Sequence, residues 1–326
     1  MSIKKCLNER EHIEDVFLSH FENKGYKLTE PVPLLSPDKT LLFTNDTIAA
    51  WKKYLKDAKL PKKGVVTQQP SLRSHGVKDT IFDICQHEKQ PDRFLGYFSS
   101  LGILASNDKN NNLCGQVEDL FINKYSIPPS QIQVFGRKNM DFLNFKQLPT
   151  SYEKRKDIYY EWDYGMSEVK GEGATIMLKQ NKNIFKEIGQ IIEVKDSKNI
   201  LGYEFGFGAE TFRTRNQALL DYRAWTIFHC VPEKARFKGY LDCLSSYGTI
   251  KAQDKTRINS KHQNVAWRYA KKIAKLEEIT HVLPQETEES LSKFVEAEFE
   301  KEIGNMEELQ KARYRQKQRR INTIYL

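Results

Sequence analysis

The stretch Gly202-Tyr203-Glu204-Phe205-Gly206-Phe207-Gly208-Ala209-Glu210-Thr211-Phe212-Arg213-Thr214-Arg215 decides how this chain is read. An apolar run with a carboxylate passes through two glycines into a helix-forming segment that carries arginines. Glycine lets a backbone turn sharply and come close to a planar or phosphorylated ligand. The helix start beyond it offers free N–H groups and the positive end of a dipole. Glu204, ahead of the turn, is placed to hold an ammonium, and an arginine within the helix to hold phosphate. The same pattern also serves as a plain strand-to-helix connection, so the rest of the chain must supply the context.

At 326 residues the chain has room for one large domain and a smaller appendage. Its 39% hydrophobic content, with 11% aromatics, is enough for a buried core and excludes wholesale disorder. No apolar window approaches a membrane span, and the opening MSIKKCLNEREH has no apolar signal region, so no membrane is expected. Cys6, Cys85, Cys114, Cys230 and Cys243 are scattered without CxxC spacing. That pattern predicts a reducing, cytoplasmic compartment and no structural zinc.

The net charge of +9 is unevenly placed. Residues 234 to 326 hold 19 Lys and Arg against 13 Asp and Glu. Within 251 to 275 eight basic residues face one acid, Asp254, and KARYRQKQRR closes the charged pattern at 311 to 320. Segregated sign of this kind points to a polyanionic partner, set against the plainer reading of a solvated helical face.

Ile13, Val16, Phe17, His20 and Phe21 lie on one helical face, with Gly25 as a natural stop. Prolines at 31, 33 and 37 predict extended chain, then a strand at 41 to 43 and a capped helix with Trp51, Tyr54 and Leu55 on its apolar side. Val65 to Gln69 reads as a strand delivering Arg73, and Phe94 to Phe98 as its return. A helix at 117 to 125 and a strand at 132 to 135 follow, then strands within 156 to 164, 174 to 179 and 188 to 195. Gly171-Glu172-Gly173 reads as a hairpin turn, and His229 with Cys230 as core. From about 234 the pattern is helical, at 262 to 276 and 288 to 320. The fold expected is α+β with a mainly antiparallel sheet, residues 1–233, followed by a basic helical domain, residues 234–326.

Several of these segments resemble alanyl-tRNA synthetases, members of the class II aminoacyl-tRNA synthetases. SPDKTLLFTN at 36 to 45, followed by a helix with Trp51 and Lys52, is similar to that family's DPTLLFTNAGM region. Gln68-Gln69-Pro70-Ser71-Leu72-Arg73, then Gly76, Lys78 and Asp79, then Leu95-Gly96-Tyr97-Phe98-Ser99, resembles its second signature. Asn144-Phe145-Lys146-Gln147 is similar to its NFWQ stretch, and Glu187-Ile188-Gly189-Gln190-Ile191 to its EIWNI strand. The opening stretch looks like DTGMGLER, with Glu204 for Asp and Gly206, Gly208 and Glu210 matching.

The resemblance implies a six- or seven-stranded antiparallel sheet that uses ATP and Mg2+ to activate an amino acid for tRNA. It implies Arg73 on the α-phosphate, with His75 and Lys78 over the outer phosphates and Phe94 against adenine. Gly206 and Gly208 would pass beside the nucleotide, with Glu210 facing ATP and Glu187 a magnesium ligand. Glu204, Lys146 and Gln190 would meet the amino acid, and Lys261, Arg268, Lys271 and Lys272 the tRNA acceptor stem.

Departures shape the expectation too. Thr211 stands where the family carries arginine, which makes Arg215, one turn on and on the same face, a displaced phosphate clamp; Arg213 points away. Lys146 in place of an indole predicts a polar or acidic amino acid rather than alanine. The family's HxxxH and CxxxH editing signals are absent, and a monomer is expected. Two other readings stay open: a tRNA-binding paralogue with a decayed ATP site, and an adenylate-former that serves a carrier protein or small molecule.

Overall fold

The computed structural model describes residues 3–37, 41–57, 59–74, 78, 80–82, 95–108, 111–152, 155, 158–166, 168–181, 184–216 and 238–324. Helix α1 (Ile3–Glu22) buries Ile13, Phe17, His20 and Phe21, and Gly25 at φ +89° turns the chain out of it. There follow β1 (Lys27–Leu28), α2 (Ile48–Asp57), β2 (Gly64–Leu72) and β3 (Tyr97–Ala105). Next come α3 (Leu113–Asp119), β4 (Ile132–Phe135), β5 (Thr150–Ser151) and β6 (Glu161–Asp163). The long strands β7 (Lys170–Asn181), β8 (Ile184–Lys195) and β9 (Ile200–Gly208) lead directly into α4 (Ala209–Asn216). Four helices close the described chain: α5 (Lys238–Lys251), α6 (Ser260–Thr280), α7 (Pro284–Phe299) and α8 (Glu307–Ile324).

The sheet runs β1-β2-β3-β9-β8-β7-β4-β5, with β6 also paired to β7. Pairs β1/β2 and β4/β5 are parallel and the others antiparallel, so among the described residues the sheet is mixed and has nine strands. That is larger than the six or seven strands expected. The two strands without a counterpart in the sequence reading, β1 and β5, are two residues long, too short to leave a periodic signal.

The two faces of the sheet differ in chemistry. On one, Phe205 and Phe207 of β9 meet Phe17 and Phe21 of α1, Phe121 after α3, and Phe212 of α4, with ring centroids 5.0 to 6.3 Å apart. On the other, α2 lays its fully buried Trp51 against β3 at Gly102, where an added Cβ would stand 2.7 Å from the indole. Truncating such a tryptophan costs about 3–5 kcal/mol.

Three sequence readings are corrected here. The stretch 41 to 43 forms only one bridge, Leu35 to Phe43, because its backbone turns to meet the helical part instead. Gly171 and Gly173 lie inside β7 rather than in a turn; a Cβ on Gly173 would sit 2.2 Å from the Ile191 carbonyl oxygen. Gly206 and Gly208 remain in β9 without positive φ, so they allow close approach and not a sharp turn. A Cβ on Gly206 would come within 3.0 Å of the Leu101 carbonyl oxygen.

Helices α5 to α8 bury Tyr240, Leu244, Tyr247, Tyr269, Ile273, Leu291, Phe294 and Leu309 in one cluster with Leu34, Leu35, Phe43, Leu72 and Tyr97 from the sheet part. The boundary expected at 233/234 lies outside the described residues, and so do His229 and Cys230. The two parts are joined by polar contacts as well. The Gly96 N–H donates to Asp242 Oδ1 at 2.6 Å, and the His262 ring bonds the Leu42 carbonyl at 2.9 Å. Among the described residues, no helix is long and apolar enough to cross a membrane.

Candidate active site

Alternation along β9 sends Phe205 and Phe207 toward the aromatic face and Glu204, Gly206 and Gly208 toward the opposite face. There a cavity of about 380 Å³ opens over β3, β9 and β8. Gly206, Gly208 and Gly189 form a part of its wall from bare backbone, which admits a flat ligand against the sheet. Its charged and polar lining includes Arg73, Asp46, Glu187, Gln190, Glu204, Thr211 and Arg215, and its aromatic lining includes Phe98, Trp162 and Tyr159.

Arg73 follows β2, where its N–H still pairs with the Gly96 carbonyl at 2.7 Å. Its guanidinium lies 4.4 Å above the centroid of Phe98 on β3. Stacking holds the planar group flat at the cavity wall. Burial lowers the Arg73 pKa, and the attraction of Asp46 and Glu187 opposes that fall. Asp46 caps α2 through the Ile48 N–H at 3.0 Å. Burial raises its pKa, while Arg73 and the helix N–H groups pull it back.

Glu204 is the second centre. It is only 8% exposed, and the Tyr164 hydroxyl donates to its carboxylate. Burial pushes Glu204 up to about 8; the Tyr164 bond works against that rise and the Asp46 charge adds to it. Burial and the adjacent carboxylate push the Tyr164 phenol well above its usual range. Gly171 makes this pairing possible, since a Cβ there would stand 2.9 Å from the Tyr164 ring.

The structure places Arg73, Glu187, Gln190, Glu204, Gly206, Gly208 and Arg215 around one cavity. Gln190 donates through Nε2 to Glu187 Oε1 at 3.1 Å. Thr211 and Arg215 both line the cavity, as their four-residue spacing on α4 requires, and the Arg215 carbonyl accepts from Gln180 at 3.0 Å. Arg213 is buried away from it. Glu210 does not line the cavity; its carboxylate takes the Ser99 N–H at 3.0 and 3.2 Å and ties α4 to β3.

Lys146 is exposed and outside the lining, which removes the argument for an acidic amino acid. Lys78 is exposed as well, and His75 and Phe94 lie outside the described residues. Lys261, Arg268 and Lys271 are exposed on α6, but Lys272 is buried at the edge of its packed face. Among the described residues no group of three His, Cys, Asp or Glu side chains forms a metal cage.

Three lining residues, Asp46, Phe98 and Trp162, and Tyr164 behind Glu204 carried no site role in the sequence. Trp162 and Tyr164 stand two apart in a segment read as a strand, so they share a face; that spacing was the available signal. No protein-family model matches the chain, and no curated protein matches it either.

Proposed function

We propose that the chain activates an amino acid as an aminoacyl adenylate and passes it to a tRNA, in the manner of the synthetases its sequence resembles. One observation carries this reading: the cavity holds two guanidinium groups and one buried, tyrosine-bonded carboxylate over a glycine-lined strand. An ammonium and a polyphosphate are the ligands such a pair of ends would take.

In the proposed reaction a substrate carboxylate oxygen forms a bond to the α-phosphorus of ATP. The bond to the bridging oxygen breaks, and pyrophosphate leaves with the electron pair. No protein nucleophile is needed, so positioning and charge neutralisation supply the catalysis. Arg73, fixed on Phe98, would face the reacting phosphate; Arg215 would meet the outer ones; Glu204 would give up its proton as the ammonium arrives and hold it as a carboxylate, with Tyr164 steadying it. Mg2+ would supply further charge neutralisation on the phosphates, beside Glu187.

Equilibrium binding of ATP tests the nucleotide half of this reading. Arg73→Ala and Arg215→Ala should each weaken ATP binding about tenfold or more, the order for a charged hydrogen bond lost. ATP binding at wild-type strength by both variants would dismiss it.

A further inference from the structure

We propose that the exposed face shared by α6 and α8 is an RNA-binding surface on which Trp267 holds Arg315 and Lys271 ready for phosphate. This rests on the RNA half of the reading above, and extends it to a helix that the sequence resemblance does not reach.

The Arg315 guanidinium of α8 lies 4.9 Å above the Trp267 ring of α6, and Lys271 Nζ lies 5.6 Å from the same centroid. Trp267 is half-buried against the helical core, so its indole is a fixed platform and not a loose surface ring. A guanidinium laid on such a ring has lost much of its rotamer freedom before any ligand arrives, and its N–H edge stays open.

Charge on this face is uncompensated. Lys261, Arg268, Lys271 and Arg315 are exposed and, among the described residues, make no ion pair. The neighbouring acids are already engaged: Arg313 takes Glu277 at 2.6 Å and also Glu288, Lys275 takes Glu278 at 2.8 Å, and Lys311 takes Glu307 at 3.0 Å. Lys261 and Arg268 stand seven residues apart, roughly 10 Å along the helix axis. A row of unpaired cations beside a clamped guanidinium fits a repeating phosphate backbone. Lys272, on the buried side of α6, has no part in it.

Fluorescence anisotropy with a short RNA hairpin carrying a single-stranded 3′ tail, titrated across a salt series without ATP or amino acid, is the test. Arg315→Ala should weaken binding and reduce the log–log salt slope by about one. Arg315→Lys keeps the charge, so it should keep the slope yet bind more weakly. Trp267→Ala removes no charge but should weaken binding about two- to fivefold, and Trp267→Phe should recover most of that. Lys27→Ala, on the sheet-edge strand β1, should change nothing.

Wild-type RNA binding by both Arg315 variants would overturn the proposal. So would a glutamate-rich peptide of matched charge competing as well as the RNA does. Should Trp267→Ala lower the melting temperature, Arg315→Lys decides, since it leaves the indole in place. Because no nucleotide is present, loss of adenylate formation and loss of this surface are separate results.

Discussion

The hydroxyl of Tyr164 donates to the carboxylate of Glu204, and the two side chains are 4% and 8% exposed where the cavity meets the sheet. A carboxyl raised to about 8 is protonated at neutral pH, whereas the unfolded chain has lost that proton. The folded state thus binds more protons between the unfolded value and about 8, and stability must fall as pH rises through that window. Below the window the contribution is complete, and above it the contribution is gone. Urea denaturation at several pH values should show this decline in the wild type. Glu204→Gln should flatten it and be the more stable form, by a few kcal/mol, on the alkaline side. Parallel curves for the two proteins would refute it.

Arg73 is held by an aromatic face rather than by charge alone, 4.4 Å from the centroid of Phe98. Arg73→Lys keeps the charge but loses the planar stack and the paired donors. Pyrophosphate exchange should fall about tenfold or more in Arg73→Lys, with little change in melting temperature. Full activity with lysine would mean that a point charge suffices there.

Arg215 and Arg213 separate activity from stability. Arg215 lines the cavity, so Arg215→Ala should cost about a hundredfold in exchange, the order for one preorganised donor. Arg213 is only 3% exposed and off the cavity. Arg213→Ala should instead lower the melting temperature while leaving the KM for ATP near its wild-type value. The reverse pattern, read from kinetics and thermal unfolding together, would exchange their roles.

Helix α8 is pinned by Arg313, which bonds Glu277 through two nitrogens at 2.6 and 2.9 Å and reaches Glu288 as well. Glu277 is 5% exposed, so Arg313→Ala strands a buried carboxylate. Chemical denaturation should show a loss of about 3 kcal/mol. Adding Glu277→Leu to that variant should restore part of it.

Much of this architecture was legible because the relevant residues repeat with a period. The α1 face, the strands around Arg73 and Glu187, and the passage from Glu204 into α4 follow from spacing alone. The resemblance singled out the Thr211 position, and the i, i+4 relation then put Arg215 on the same face, where both line the cavity. Contacts between distant segments were not legible. Tyr164 reaches Glu204 because Gly171 clears the space, and Phe98 lies under Arg73 because β2 and β3 pair in one particular register. Lys146 failed as a pocket residue for the same reason: a local match says nothing about which way the loop turns its side chains. In β7, Gly171-Glu172-Gly173 looked like a turn, yet the glycines answer to the crowding of a neighbouring strand.

Adenylate formation in the cavity between Arg73, Arg215 and Glu204 is the central proposal. ATP–pyrophosphate exchange, measured with each of the twenty amino acids and with and without total tRNA, tests it most directly. Exchange with a particular amino acid is expected, abolished in Arg73→Ala and depressed in Glu204→Gln through KM for that amino acid. Wild-type protein that binds tRNA yet exchanges with none of the twenty would contradict it.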